Sequence, residues 1–274
     1  MARNILVTGG NSGIGRALCQ QLAEDGCNVY LGARTSDKAE EACTSLVVSN
    51  PALAGKLFPV VIDPGLDESV ASAAASLSSV QFYAVVNNAG TGLGHGSSVE
   101  EVLNVNAFGP RRVTAAFVPL LIPGGRVVNL GSGSAGGFVK KQSPDVQRLL
   151  CNPPSAWGEL EALITQFKGD EAFMKDPWDP YGLSKAVLAA YTMLCAKEMP
   201  GILFSCVSPG FILTKMTATL GATKSPEEGT ASIKHALFAT LECNGFYYGS
   251  DCVRSPYHFM RNPGAPAYDG VAPY

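Results

Sequence analysis

Short apolar runs alternate with amphipathic segments from one end of the chain to the other, and that rhythm leaves few folds open. Runs rich in β-branched or aromatic residues occur at 4–8 (NILVT), 28–32 (NVYLG), 56–62 (KLFPVVI), 82–87 (FYAVVN), 125–131 (GRVVNLG) and 202–207 (ILFSCV), and each predicts a strand. Helices are predicted between and after them at 13–25, 36–49, 67–78, 98–121, 181–198 and 226–241. The last opens on SPEE, a capping box from Ser225 to Glu228 with proline in the first turn. Strands too apolar to have a wet face, separated by helices, require a parallel sheet covered on both sides. The fold class is therefore α/β, a doubly wound Rossmann-type domain. No repeat or linker interrupts the 274 residues, so 1–274 reads as one domain. One stretch breaks the rhythm. Residues 134–179 separate the fifth strand from the next long helix, and Leu160, Leu163, Ile164 and Phe167 recur there at helical spacing, which predicts a helical insertion packed on the domain.

Composition removes several function classes. Net charge is −3 with no run of Lys and Arg, so nothing draws the chain to nucleic acid or an anionic membrane. The eight cysteines include no C-x-x-C pair, which argues against a zinc or redox motif; no metal is expected, and buried, reduced thiols are. MARNILVTGG enters a strand almost at once and no apolar stretch has the length of a membrane span. A cytoplasmic setting is the expectation.

The strand at 4–8 runs into TGGNSGIG, with Gly9, Gly13 and Gly15 ahead of a helix. Glycines in that position let the backbone approach a pyrophosphate, which then sits at the positive end of the helix. Asn11, Ser12 and Ile14 complete this dinucleotide-binding loop. NAD calls for an acid at the end of the second strand, to bind the ribose 2′-hydroxyl. Ala33 stands there, followed by Arg34, which suits the 2′-phosphate of NADP. NADP(H) is the expected cofactor.

Residues 179–191, DPYGLSKAVLAAY, look like a helix start in which Asp179 caps and Pro180 occupies the first turn. Tyr181 and Lys185, four apart, share a helix face. An ammonium beside a phenol favours the phenolate and lowers its pKa, the requirement for a tyrosine that moves protons near neutral pH.

TGGNSGIG, NNAG (87–90), NVNAFG (104–109), VVNLGS (127–132), YGLSK (181–185) and SPGFILT (208–214) occur in the order found in the short-chain dehydrogenase/reductase family, which the chain resembles over nearly its whole length. Within that family it is most similar to the monomeric carbonyl reductases, which share an insertion of similar length, a segment like SPDVQRLL and one like ATKSPEEG at 222–229. The resemblance implies NADPH-dependent reduction of a ketone, quinone or aldehyde, by a monomer whose insertion covers the helices that pair in tetrameric relatives. It makes Asn106, Ser132, Tyr181 and Lys185 the catalytic tetrad: Tyr181 as acid, Lys185 as its tuner, Ser132 as donor to the carbonyl oxygen, and Asn106 as holder of a water that links Lys185 to solvent as a proton relay. It also implies that Asp63 meets the adenine amino group, that Asn88, Ala89 and Gly90 pass the adenine ribose, and that Ile212 and Thr214, after Pro209 and Gly210, hold the nicotinamide carboxamide.

Three departures from that pattern stand out. Ser12 replaces the second basic residue that many NADP-dependent members carry in the glycine loop, so NADP preference rests mainly on Arg34. The segment between Gly90 and Asn106 is several residues short, and the tail at 249–274 has no counterpart. Phe211, Trp157, Met174 and Trp178 are the candidates for an apolar substrate pocket. Two rival readings are a carbon–carbon double-bond reductase of the same family and a non-catalytic NADP-binding subunit; the complete tetrad argues against the second.

Overall fold

In the computed structural model, which describes residues 2–92, 96–255 and 266, the predicted strands form the sheet. β1 (Asn4–Val7), β2 (Asn28–Ala33), β3 (Leu57–Val61), β4 (Phe82–Asn87), β5 (Leu121–Leu130) and β6 (Leu203–Val207) are joined by β7 (Phe246–Tyr248) and β8 (Arg254–Ser255), in the order β3-β2-β1-β4-β5-β6-β7-β8. All neighbours pair parallel except β8, which returns antiparallel to β7. The order runs outward in both directions from β1, so the carboxyl ends of β1 and β4 border a topological switch point, where open α/β sheets bind ligands.

Helices cover both faces. On one, α1 (Gly13–Glu24), α2 (Ser36–Ser49) and α11 (Ala231–Phe238) bury Leu18, Leu22, Leu46, Ile233 and Leu237 against Ile5, Val7, Val29 and Leu31. On the other, α3 (Asp67–Ser76), α4 (Val99–Leu103) and α5 (Gly109–Phe117) lie beside α10 (Asp179–Glu198). Between β5 and α10 the insertion forms α6 (Ser134–Val139), α7 (Pro144–Cys151), α8 (Trp157–Lys168) and α9 (Glu171–Lys175). Leu160, Leu163 and Ile164 are buried with Leu183, Val187, Ala190 and Leu194 of α10, so the insertion covers the outer side of that helix as the spacing predicts.

Several boundaries differ from the sequence reading. The helix expected over 98–121 is broken by a π-helical turn at Asn104–Phe108, and β5 begins at Leu121 because the sheet slips register there, pairing Phe82 with Leu121 and Ala84 with Arg126. The segment 226–241 is a 3-10 turn at Glu228–Thr230 followed by α11. Its capping box forms: Ser225 N–H donates to Glu228 Oε2 at 2.7 Å and Glu228 N–H to Ser225 Oγ at 3.3 Å. Asp179 does not cap α10. Trp178 holds the N-cap position without a side-chain bond, and Asp176, two residues earlier, accepts the N–H groups of Trp178 and Asp179 at 2.8 and 2.7 Å. β7 and β8 were not foreseen, and most of the tail after them lies outside the described residues, as do 93–95 in the short segment after Gly90. Among the described residues no helix is long and apolar enough to cross a membrane.

Candidate active site

The glycine loop leaves β1 and enters α1 with Gly9 at φ +64°, a conformation that side chains rarely adopt. A Cβ on Gly15 would stand 2.3 Å from the Gly9 carbonyl oxygen and 2.4 Å from Asn88 Nδ2, so only glycine fits there. Ser12 gives α1 no side-chain cap and its first turn carries no acid, which leaves the amino end of α1 open to an anion. Asn88 staples this loop to the end of β4: its Nδ2 donates to the carbonyls of Thr8 and Gly9 at 2.8 and 3.2 Å, and Thr8 Oγ1 accepts the N–H groups of Asn88 and Ala89, both at 3.1 Å.

At the end of β2, Ala33 is buried and Arg34 is exposed. Sequence reasoning missed two further cations near the glycine loop. Arg16, in the first turn of α1, and Lys38, in the first turn of α2, line with Asn11, Glu41, Ala42 and Ser45 a cleft of about 210 Å³. The signal was available, since Lys38 lies only five residues beyond Ala33. Asp63 is a turn residue whose Oδ1 accepts the Gly65 N–H at 2.9 Å and whose own N–H donates to Ser69 Oγ at 2.9 Å.

Ser132, Tyr181 and Lys185 come together at the carboxyl end of β5. Ser132 Oγ accepts the Ser134 N–H at 3.2 Å, and its side chain faces Tyr181 closely enough to favour the phenolate. Lys185 Nζ lies 5.7 Å from the centre of the Tyr181 ring and donates to the Leu130 carbonyl at 2.8 Å. Burial pushes the Lys185 ammonium down to about 8. Burial also raises the Tyr181 phenol above its ordinary value, with Ser132 acting the other way. The sequence reading expected a lowered phenol. In the protein alone desolvation outweighs the opposing influence of Ser132.

Asn106 occupies the π-helical turn and is fully buried. Its Oδ1 accepts the Thr91 N–H at 2.9 Å, and its Nδ2 donates to the Thr91 carbonyl at 2.8 Å and to Ser184 Oγ at 3.2 Å. Both amide hydrogens are committed, and only oxygen remains to meet a water. A point above Gly90, where a Cβ would stand, is 3.2 Å from Asn106 Oδ1 and 3.6 Å from Lys185 Nζ, so both groups border the same space.

The segment after β6 closes on the glycine loop. Gly210, after Pro209, turns at φ +93°. Ile212 is buried and bridges to Lys224, and it meets Ile14 over Gly229. Thr214 Cγ2 lies 3.3 Å from the Cβ position of Gly13, and Thr214 Oγ1 accepts the Met216 N–H at 3.2 Å. Met216 was not singled out in the sequence. Its Sδ and Tyr181 Cδ2 are 3.7 and 3.9 Å from one point above Gly92, so the thioether and the tyrosine ring border the same space.

Of the four pocket candidates, Phe211 and Trp178 are exposed. Trp157 is corrected: it packs between Phe108 and Tyr191, with ring centres 5.4 Å away in both cases, under the Arg111 guanidinium. Met174 likewise packs against the core of the insertion. Both serve the covering of α5 and α10, because the insertion spends its large apolar side chains there.

The sequence profile of the family described as short chain dehydrogenase matches residues 3–143. The (+)-neomenthol dehydrogenase of Arabidopsis thaliana is 30% identical over 88% of this chain and 93% of its own. The NADPH carbonyl reductase 1 of Homo sapiens is 29% identical over 82% and 86%. Among solved structures, salutaridine reductase from Papaver somniferum superposes with a TM-score of 0.77 at 26% identity, covering 90% of this chain and 99% of that one. A glycine loop at the switch point and a Ser, Tyr, Lys cluster beside it accompany these matches, and the chain belongs to the short-chain dehydrogenase/reductase family.

Proposed function

We propose that the protein reduces a ketone, quinone or aldehyde to an alcohol with NADPH. The observation that carries this reading is the convergence of Ser132, Tyr181 and Lys185 on one end of β5, next to a glycine loop whose helix is left uncapped. The residues present fit a dinucleotide. The open amino end of α1 suits a pyrophosphate, and Arg34, Lys38 and Arg16 suit a 2′-phosphate. Bound NADPH supplies the hydride. The raised Tyr181 phenol stays protonated at neutral pH and gives its proton to the carbonyl oxygen. Ser132, which faces Tyr181, donates to that oxygen as negative charge gathers on it. Lys185 and Asn106 Oδ1 border a space that suits a water through which the phenol regains its proton. Thr214, whose Cγ2 lies against Gly13 of the glycine loop, is the residue we assign to the nicotinamide carboxamide.

Eight free cysteines support a reducing, cytoplasmic setting, and the covered face of α10 supports a monomer. Assaying NADPH and NADH oxidation with aromatic ketones, quinones, aldehydes and enones tests the reading. Turnover of carbonyls with NADPH is the expected result; turnover of enones only at the carbon–carbon bond, or of nothing, rejects it.

A further inference from the structure

Ser132 and Tyr181 belong to different elements, the turn after β5 and the first turn of α10, and the contact between α6 and α10 sets how far apart they stand. Gly182 faces α6. A Cβ there would lie 2.7 Å from Phe138 Cβ and 3.1 Å from the Ser134 carbonyl oxygen. Neither atom is the free end of a flexible side chain, so α6 must move before any larger residue fits. α6 begins two residues after Ser132, and Ser132 Oγ is bonded to both the N–H and the hydroxyl of Ser134. Movement of α6 is therefore passed straight to Ser132.

The insertion holds α6 from the other side. The Phe138 ring meets Phe167 of α8 and Phe173 of α9 edge-on, at 5.3 and 6.4 Å between centres, and those two rings lie 5.0 Å apart. Just past α6, Lys141 pairs with Asp179, the first residue of α10, at 2.7 Å. A cover for α10 needs only apolar area. A contact so close that it admits glycine alone is needed where spacing matters, because close-packed interiors transmit small displacements.

We propose that the helical insertion positions the catalytic groups: its aromatic cluster presses α6, through Phe138, onto Gly182, and that contact fixes the separation of Ser132 and Tyr181. The inference rests on the roles given to those two residues under the proposed function. Gly182, Phe138, Phe167 and Phe173 are positioning residues that act through Ser132.

Gly182→Ala tests it by kinetics on the best carbonyl substrate, by NADPH titration and by crystallography, with Leu163→Ala in α8 as a control for lost packing. Misplacement by an ångström costs about 100-fold, so Gly182→Ala should lower kcat by about 10- to 100-fold while KM and NADPH affinity change little. Its crystal structure should show α6 displaced and Ser132 farther from Tyr181. Leu163→Ala should lower the melting temperature and leave kcat near the starting value. An unmoved α6, an unchanged kcat, or an equal loss of kcat in Leu163→Ala overturns the inference. Should Gly182→Ala not fold, Phe173→Leu decides: reduced kcat at unchanged NADPH affinity supports the inference and unchanged kcat overturns it. If the parent protein reduces no carbonyl, the functional reading fails, while a displaced α6 and Ser132 in Gly182→Ala still bear out the positioning contact and an unmoved α6 still sinks it.

Discussion

Lys185 reaches from α10 to donate to the carbonyl of Leu130 across 2.8 Å, and the residue that makes this bond is 5% exposed. Burial holds its pKa near 8 in the folded chain, against 10.5 when solvated. Below pH 8 both folded and unfolded chains carry the charge, and the folded one bears a desolvation cost on the order of 3 kcal/mol. Between pH 8 and 10.5 only the unfolded chain holds the proton, so the cost disappears as pH rises through that window. Lys185→Met should therefore be more stable than the parent at pH 7, by less than that figure because Leu130 loses its partner, and the difference should shrink toward pH 10. Thermal melts of both proteins across pH 7–10 measure it; a gap that is absent at pH 7 or grows with pH contradicts the assignment.

Tyr181 titrates the other way. Burial raises its phenol and Ser132 opposes the rise, while Tyr247 and Lys185 are the other titratable groups beside it. A protonated phenol suits reduction, and a phenolate suits alcohol oxidation. Carbonyl reduction should hold up at neutral pH and fall toward alkaline pH, whereas oxidation of the product alcohol should climb with pH. Tyr181→Phe removes the proton and little volume, so reduction should drop by a factor on the order of 100 or more with NADPH binding intact. Near-normal turnover in that variant, or pH profiles of the same slope in both directions, would be incompatible with Tyr181 as the acid.

The strands, the glycine loop and the Tyr181, Lys185 pair were legible because each is written locally: a β-branched run, a turn that only glycine can make, two residues four apart on one helix. The signals that failed were set by distant partners. β7 is three residues long and forms because Ser205, Cys206 and Val207 offer it an edge, which no local period announces. Trp157 reads as a pocket aromatic until Tyr191 and Phe108 are seen to enclose it. Asp179 is the first residue of α10 rather than its cap, and its carboxylate pairs with Lys141, 38 residues earlier, while Asp176 accepts the Asp179 N–H. Met216 and Gly182 matter only through what they touch, and neither neighbour is near in sequence.

Cofactor choice is testable at two positions. Arg34 stands exposed at the end of β2 and Lys38 lines the cleft beside Asn11. If both meet the 2′-phosphate, Arg34→Ala should weaken NADPH by roughly 1.5–3 kcal/mol, the range for a hydrogen bond to a charged group. Lys38→Ala should act in the same direction, and the pair together should bring NADPH near NADH. Titration of both cofactors against each variant checks this; equal losses for NADPH and NADH would mean that neither cation reads the phosphate.

The association state follows from what lies on α10. That helix is apolar nearly all round, and a bare outer face would favour docking against a second copy. The insertion occupies the face instead: Leu160, Leu163 and Ile164 lie against Leu183, Val187 and Leu194, while Trp157 seals the junction with α5 under Arg111. Self-association through α5 and α10 would have to peel away this layer, exposing more apolar surface than it gained. Light scattering should therefore return a mass near 28.6 kDa over a wide range of concentration. Charge placed in the layer, as in Leu163→Glu, should lower the melting temperature and raise the tendency to associate by baring α10. A stable tetramer of the unaltered chain would require either that the insertion leaves this face in solution or that copies meet through another surface, and hydrogen exchange on α8 would separate the two.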